Sequence, residues 1–212
     1  MECAGVVLCG GESRRMGRPK EWLPFGPEQM LQRVVRLVST AAQPVVVVAA
    51  SGQALPELPA AVLIARDPIA GRGPLAGLAS GLAALPASVE LAFAIGADAP
   101  LLRPAWITRL ADLIGPADLA IPTIDGVRQP LAAVYRRRAA LPAIERLLRS
   151  GRSALIDLMA VLTTRVVTAD ELRDIDPDLT TLRNVNTPED YRAALADAGL
   201  GPASDLEHQP EA

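Results

Sequence analysis

Short apolar runs rich in β-branched residues recur along this chain, and stretches with helical spacing lie between them. The runs are Cys3–Leu8, Val45–Val48, Val62–Ala65, Leu91–Ile95 and Leu119–Ile121. Runs of this length are typical of buried strands in a parallel sheet, because helices cover both faces of such a sheet. The spacing of the apolar residues predicts helices over Met30–Ser39, Leu75–Leu85 and Ala105–Ile114. This alternation predicts an α/β domain, a Rossmann-like three-layer sandwich with a mostly parallel sheet.

The last third of the sequence has a different pattern. It predicts a strand over Leu131–Tyr135, helices over Ala140–Arg149 and Ser153–Ala160, and an edge strand over Arg165–Thr168. Thr187, followed by Pro188 and two acidic residues, is expected to cap the last helix. We expect one folded domain over residues 1–198. Residues 199–212 contain Gly, Pro and acidic residues without periodicity, which predicts a disordered tail.

Composition excludes several classes of protein. Half of the 212 residues are hydrophobic, enough for one domain with a full core, and the net charge of −3 argues against a nucleic-acid partner. No apolar stretch reaches the roughly 20 residues of a membrane span, and the start lacks the layout of a signal peptide. Cys3 and Cys9 lie too far apart on an extended strand for a disulfide, so we expect free thiols and a cytoplasmic protein.

The single histidine, His208, lies in the predicted tail. The body of the domain therefore cannot form a Ser-His-Asp triad, a Cys-His pair or a histidine-built zinc site. Its chemistry must use carboxylates, cations, amides and, where required, a hard metal ion.

A glycine-rich loop follows the first apolar run, and residues 8–20 read L-C-G-G-E-S-R-R-M-G-R-P-K. Gly10 and Gly11 allow positive φ and close backbone approach, and successive amides in such a turn form a concavity for an anion. The loop also carries the cations Arg14, Arg15, Arg18 and Lys20. The loop matches neither G-x-G-x-x-G nor a Walker motif. It predicts a site for a nucleoside triphosphate, the alternative being a strand-to-helix turn with a solvated basic face.

Two polar segments are candidates for metal and phosphate binding. Asp98, in I-G-A-D-A-P, follows the run Leu91–Ile95, and one carboxylate together with substrate phosphates is a normal way to hold Mg²⁺. The alternative is a helix cap, which the intervening prolines disfavour. Asn184 and Asn186 would point the same way in an extended segment and could bind a metal or a phosphate, although asparagine also caps helices.

A further segment is a candidate for binding the base or ribose. Asp67 lies two residues after the predicted strand Val62–Ala65, and G-P-L-A-G follows at residues 73–77. Gly73 and Gly77 would let the backbone approach a ligand, and Leu75 could pack on a purine. By the residues alone, an ordinary loop and helix start is the favoured interpretation.

Together the motifs carry a family resemblance. The pattern L-x-G-G-x-S-x-R-M-G-x-x-K, with G-x-D-x-P, G-P-L-A-G and N-V-N-T-P, resembles the nucleotidyltransferase superfamily, and most closely the molybdenum cofactor guanylyltransferases. The resemblance spans roughly residues 4–195. It implies the nucleotide-diphospho-sugar transferase fold, and transfer of GMP from GTP to the terminal phosphate of molybdenum-loaded molybdopterin. It also implies Mg²⁺ as cofactor and transient contacts with other cofactor-biosynthesis proteins or molybdoenzymes.

The resemblance assigns roles to individual residues. It implies catalytic roles for Arg15, Lys20 and Asp98, with Asp98 as the metal ligand. The implied nucleotide-binding residues are Leu8, Cys9, Gly10, Gly11, Ser13, Lys20, Asp67, Gly73, Pro74, Leu75, Gly77, Asp98, Asn184 and Asn186. Because the spacing to G-P-L-A-G is about one residue shorter here, Arg66 competes with Asp67 for the acidic position.

Three positions depart from the family pattern. Gln129 stands where relatives often have histidine, Ala49 where relatives can have a nucleotide-contacting asparagine, and Pro19 where a polar or acidic residue is common. These differences leave the base and the acceptor open. The alternatives are a nucleotidyltransferase that uses CTP or a sugar-phosphate acceptor, and a nucleotide-binding regulator without turnover.

Overall fold

The computed structural model describes residues 2–9, 19–67 and 73–201. The central sheet contains β1 (Cys3–Cys9), β4 (Val45–Ala50), β5 (Leu63–Asp67), β6 (Leu91–Gly96), β7 (Leu119–Ile124), β8 (Val127–Arg128), β9 (Ala132–Arg136) and β10 (Thr164–Thr168). A small hairpin contains β2 (Pro24–Phe25) and β3 (Glu28–Gln29). The helices are α1 (Met30–Ser39), α2 (Pro74–Ala84), α3 (Pro104–Leu113), α4 (Arg137–Arg149) and α5 (Pro188–Asp197). Within these ranges, no helix combines the length and apolarity that a membrane span requires.

The sheet order is β10-β7-β9-β6-β1-β4-β5. Strands β5, β4, β1 and β6 pair in parallel, as do β10 and β7, so the predicted mostly parallel sheet is confirmed, with β10 at its edge. The strand predicted over Leu131–Tyr135 is β9, and it runs antiparallel to both β6 and β7. The connection from β7 through the β8 hairpin to β9 is too short for the crossover that a parallel strand needs.

Helices cover both faces of the sheet, as expected for three layers. Alternate residues of β1 and β4 point to opposite faces, so Val7 and Val47 join the cluster under α1 and α3, whereas Val6 and Val46 join the cluster under α2 and α4. Aromatic residues make up only 3% of the sequence, and the core is accordingly built mostly from Ala, Val, Leu and Ile. Continuous apolar strands thus give a sheet that is buried on both sides.

A third cluster packs α5 against the β2–β3 hairpin. It contains Leu23, Phe25, Met30, Val185, Tyr191, Ala194 and Leu195. The ring of Phe25 meets that of Tyr191 edge-on, with centroids 6.4 Å apart. Leu200 packs against the same cluster, so the folded chain extends past residue 198 into the segment predicted as a tail. Residues 202–212 of that segment lie outside the described residues.

Two local predictions need correction. The segment predicted as a helix over Ser153–Ala160 is a 3₁₀ helix over Leu155–Ala160. The strand predicted from Val62 begins one residue later and continues to Asp67. The second shift matters for the site, because it places Asp67 at the carboxyl end of a sheet strand.

Candidate active site

The carboxyl ends of four parallel strands meet at one edge of the sheet. Cys9, Ala50 and Asp67 end β1, β4 and β5, and Asp98 follows two residues after β6. Open α/β sheets bind ligands at this edge, because loops and helix starts converge there. The predicted phosphate loop begins at the end of β1, in the middle of the edge. Its residues Gly10, Gly11, Ser13 and Arg15 lie outside the described residues, so their roles stay predictions.

Lys20, Asp98 and Asn186 form a polar cluster at this edge. Lys20 Nζ lies 3.2 Å from Asp98 Oδ2 and donates a 2.8 Å hydrogen bond to Asn186 Oδ1. The two partners are 78 and 166 positions away from Lys20 in the sequence. Lys20 therefore contacts two residues that belong to two other motifs. Lys20 is also the only lysine in the sequence.

The backbone on both sides holds Asp98 in place. Ala97 N donates to Leu8 O at 2.9 Å, and Val185 N donates to Asp98 O at 2.8 Å. A Cβ on Gly96 would lie 2.5 Å from Asp98 Oδ1, so glycine at this position leaves room for the carboxylate. Helix α3 begins at Pro104 with Arg103 as its N-cap, so Asp98 does not cap it. The alternative interpretation of Asp98 as a helix cap is excluded.

The start of α5 positions Asn186. Asp190 Oδ2 accepts hydrogen bonds from the backbone N–H of Asn186 at 3.0 Å and of Thr187 at 2.9 Å. Thr187 is the N-cap, as predicted, and its Oγ1 accepts from Asp190 N at 3.1 Å. The bond from Asn186 N is the main cause that lowers the pKa of Asp190, and the charge of Lys20 lowers it further. Because Thr187 serves as the cap, the Asn186 side chain is available to Lys20.

We expect Asp190→Ala to lower the free energy of unfolding by about 1 kcal/mol at pH 7, because the capping box loses the carboxylate that accepts from the backbone N–H groups of Asn186 and Thr187. The pKa of Asp190 is lowered on folding, so its stabilising effect is complete above the unfolded pKa of about 4 and is lost as pH falls through the folded pKa. Urea unfolding at pH 7 and near pH 3 measures this: the difference from wild type should shrink in acid. Glu189→Ala, in the same helical turn, is the control, and an equal loss from it would contradict the capping role.

The side chains of Asp67 and Arg66 point to opposite faces of β5. Ala65 packs in the cluster under α2, so by strand alternation Asp67 lies on the α2 side and Arg66 on the other. Arg66 Nη1 donates to Gln53 O at 2.6 Å and to Ala50 O at 3.2 Å. These bonds direct Arg66 to the loop after β4. The geometry therefore supports Asp67 over Arg66 as the acidic residue beside G-P-L-A-G.

Inside G-P-L-A-G the structure corrects the expected side-chain role of Leu75. Leu75 is 0% exposed within the core under α2, so the prediction that its side chain packs on a purine is wrong. Gly77 is buried, and a Cβ there would meet Leu8 Cδ2 at 3.5 Å, so its missing side chain faces the sheet. Gly73 has φ +81° at the N-cap of α2, a conformation that favours glycine. Of this segment only Gly73 and Pro74 are exposed, so these two residues remain available to a ligand.

At the end of β1, Leu8 and Cys9 are buried. Burial, and secondarily the charge of Glu21, raises the pKa of the Cys9 thiol to about 12. Burial likewise raises the pKa of Cys3 to about 12. Neither thiol is a nucleophile at neutral pH, since the thiolate is the reactive form. Leu8 and Cys9 can therefore serve a nucleotide only through their backbone.

A cleft of about 520 Å³ lies beside Asn184. Its lining residues are Pro74, Gln129, Pro130, Leu131, Ser153, Ala154, Leu155, Ile156, Thr181, Leu182 and Asn184. Asn184 lines the cleft and Asn186 contacts Lys20, while the amide between them bonds to Asp98. The N-V-N segment therefore joins the cleft to the lysine cluster. Ser153 and Thr181, the polar residues of the other lining segments, belong to no sequence motif, so local patterns do not mark them.

The donors available for a metal ion are oxygens. In the described ranges, no group of three His, Cys, Asp or Glu residues is arranged to hold a metal. Asp98 and Asn186 together present carboxylate and amide oxygens, which suit a hard cation that also binds substrate phosphates. The residues present thus fit Mg²⁺ or Mn²⁺ and do not fit a histidine or thiolate metal.

The chain is similar in sequence and in fold to known proteins. A relative from Mycobacterium avium, named probable molybdenum cofactor guanylyltransferase, is 39% identical over 198 residues, covering 91% of this chain and 95% of the relative. The crystal structure of molybdopterin-guanine dinucleotide biosynthesis protein A from Archaeoglobus fulgidus matches with TM-score 0.76 and 22% identity, over 92% of this chain and 98% of that one. Rv0371c from Mycobacterium tuberculosis H37Rv, in complex with manganese, matches with TM-score 0.56 and 18% identity, over 92% and 98%.

These matches agree with the fold, whose type is that of the nucleotide-diphospho-sugar transferases. The model of the MobA-like NTP transferase domain matches residues 5–166, which include Lys20, Asp67 and Asp98. This range is most of the chain, and the Mycobacterium avium relative covers nearly all of it. The chain therefore belongs to the MobA-like NTP transferase family and is a nucleotidyltransferase.

Proposed function

We propose that this enzyme transfers GMP from GTP to the terminal phosphate of molybdenum-loaded molybdopterin and releases pyrophosphate. The observation that carries the proposal is the contact of Lys20 with Asp98 and Asn186, beside the strand from which the phosphate loop departs. The name of the Mycobacterium avium relative supports the guanylyl donor and the cofactor acceptor.

The reaction needs little covalent chemistry from the protein. An oxygen of the acceptor phosphate forms a bond to the α-phosphorus of GTP, and the bond from that phosphorus to the bridging oxygen breaks, so pyrophosphate leaves with the electron pair. A terminal phosphate is already ionised near pH 7, so no histidine base is required, in agreement with the single histidine at position 208. Catalysis then consists of positioning the phosphates and stabilising their charge, which the Lys20 ammonium can supply.

A divalent cation completes the charge balance. Asp98 would hold it, with the Asn186 amide oxygen as a second candidate donor. When bound, such an ion neutralises charge on the transferring and leaving phosphates. The manganese complex of Rv0371c supports a divalent cation, and we propose Mg²⁺. Lys20 and the cation would act on the same phosphates, since Lys20 Nζ lies 3.2 Å from the Asp98 carboxylate.

The cleft beside Asn184 is our candidate for the acceptor site. Its volume of about 520 Å³ suits a small molecule. Gln129, Ser153 and Asn184 supply hydrogen-bonding groups, and Leu131 and Leu182 supply apolar contacts. A polar, flat ring system such as a pterin requires this mixture. The N-V-N segment would bring the acceptor phosphate toward Lys20, because Asn186 contacts that lysine.

Pyrophosphate release tests donor and acceptor together. GTP, CTP and ATP are each supplied with Mg²⁺, with and without molybdenum-loaded molybdopterin. We expect release only with GTP and the acceptor, and discrimination between bases on the order of 10⁴-fold, since the wrong base leaves hydrogen-bonding groups unpaired. Faster release with CTP, or with a sugar phosphate as acceptor, would overturn the guanylyl assignment. Tight GTP binding without release under any condition would indicate a regulator.

A further inference from the structure

Gln53 connects the turn that carries Lys20 to the ends of three strands. Its Nε2 donates to Glu21 Oε1 at 2.6 Å and to Cys9 Sγ at 3.6 Å. Its Oε1 accepts from the backbone N–H of Ala50 at 2.9 Å, and its carbonyl accepts from Arg66 at 2.6 Å. A single side chain and its own carbonyl therefore join β1, β4 and β5 to the Lys20 turn.

The turn that carries Lys20 contacts the loop after β4 with two of its residues and the polar cluster with the third. Lys20, Glu21 and Trp22 form one 3₁₀ turn. Glu21 is only 8% exposed, and a buried carboxylate is tolerated when it is hydrogen-bonded, here by Gln53. Trp22 Nε1 donates to the carbonyl of Ala54 at 3.4 Å. The second and third residues of the turn thus contact residues 53–54, whereas the first extends to Asp98 and Asn186.

We propose that Glu21 and Gln53 are positioning residues that hold Lys20 at the phosphates, an inference that rests on the proposed function. The Gln53 side chain bonds to Glu21, Cys9 and Ala50, and Glu21 lies next to Lys20 in the turn, so both act on the site through Lys20. A lysine is a point charge on a flexible stem, and the position of its backbone decides where that charge lies. Displacement of a catalytic group by about 1 Å can slow a reaction on the order of 10²-fold. Burial of the Glu21 carboxylate is unfavourable in itself, but it fixes the turn that positions Lys20.

Two other roles for Gln53 lead to different kinetics. If the bonds only stabilised the fold, kcat per folded molecule would not change. If Gln53 instead contacted the nucleotide, its removal would raise KM and leave kcat unchanged. A positioning role lowers kcat and leaves the KM for the triphosphate nearly unchanged, and its effect disappears when Lys20 is absent.

The test measures kcat and KM for pyrophosphate release in Gln53→Ala, Glu21→Ala, the double variant and Glu21→Gln. Each alanine variant should lower kcat between about tenfold and a hundredfold. The double variant should match the single ones, since both remove the same bond. Glu21→Gln keeps an acceptor oxygen for Gln53 and should retain most of the activity. In a Lys20→Ala background, Gln53→Ala should have no further effect. Glu145→Ala, on the exposed face of α4, is the control for losing a carboxylate.

A kcat within about twofold of wild type in both alanine variants overturns the proposal. So does a rise in KM at unchanged kcat, or a further loss in the Lys20→Ala background. Hydrogen exchange of the backbone N–H groups of residues 20–23 and 25 distinguishes this result from a failure of the proposed function. If wild type releases no pyrophosphate from any triphosphate, the function is wrong, and faster exchange in Gln53→Ala still supports the attachment of the turn. If hydrogen exchange in the turn is unchanged in both alanine variants, Glu21 and Gln53 do not hold the turn and the proposal is wrong.

Discussion

Asp98→Asn is expected to abolish cation-dependent turnover, with a fall in kcat on the order of 10³-fold or more. The substitution keeps the shape of the side chain and removes the charge that would hold the cation. The fold should remain intact, because the contact with Val185 uses the backbone carbonyl of Asp98. Pyrophosphate release over a range of Mg²⁺ concentrations, together with urea unfolding, measures both effects.

Asp125→Asn makes the same chemical change in the exposed turn between β7 and β8 and is the matched control. Asp125 has φ +49°, and asparagine tolerates this left-handed conformation, so the control should be neutral for both activity and stability. Unchanged activity of Asp98→Asn at saturating Mg²⁺ would remove Asp98 from the metal site.

Lys20→Ala is expected to lower kcat on the order of 10²-fold or more. The variant removes the only lysine of the chain, whose ammonium lies between Asp98 and Asn186. Lys20→Arg should recover only part of the loss, because a planar guanidinium cannot occupy the place of a compact ammonium. Steady-state kinetics for both variants measure the effect.

Asp190→Ala tests how much the position of Asn186 contributes, apart from the charge of Lys20. It removes a hydrogen bond that holds Asn186 and leaves Lys20 present. It should therefore lower kcat less than Lys20→Ala does.

If Lys20→Ala lowers kcat by less than about threefold, the contact between Lys20 and Asp98 is an ordinary surface ion pair and the catalytic role of Lys20 is wrong.

The sequence was sufficient to predict the layers of the fold, because each buried strand is a continuous apolar run. It did not reveal the direction of β9, since an apolar run has the same pattern in a parallel and an antiparallel strand. The β2–β3 hairpin escaped prediction because its strands have two residues each and show no periodicity. The direction of β9 and the β2–β3 hairpin both depend on which strands pair, and local sequence patterns do not show strand pairing.

The same distinction applies to the site. Lys20, Asp98 and Asn186 can be predicted because each lies in a motif, and the structure adds that Lys20 contacts the other two. Leu75 lies in a motif that predicts contact with a purine, but in the structure its side chain is buried in the core under α2. Gln53 and Glu21 were missed because a hydrogen bond between residues 32 positions apart leaves no local pattern.

The packing of α5 against the β2–β3 hairpin has a consequence for synthesis on the ribosome. Phe25 and Tyr191 form the contact, and Asn186 reaches Lys20 from the same end of the chain. Domains generally fold as units, and α5 is the last helix that the structure describes. Lys20 gains its amide partner only after α5 has left the exit tunnel. A nascent enzyme truncated before residue 184 would contain the phosphate loop and Asp98 and still lack a complete site.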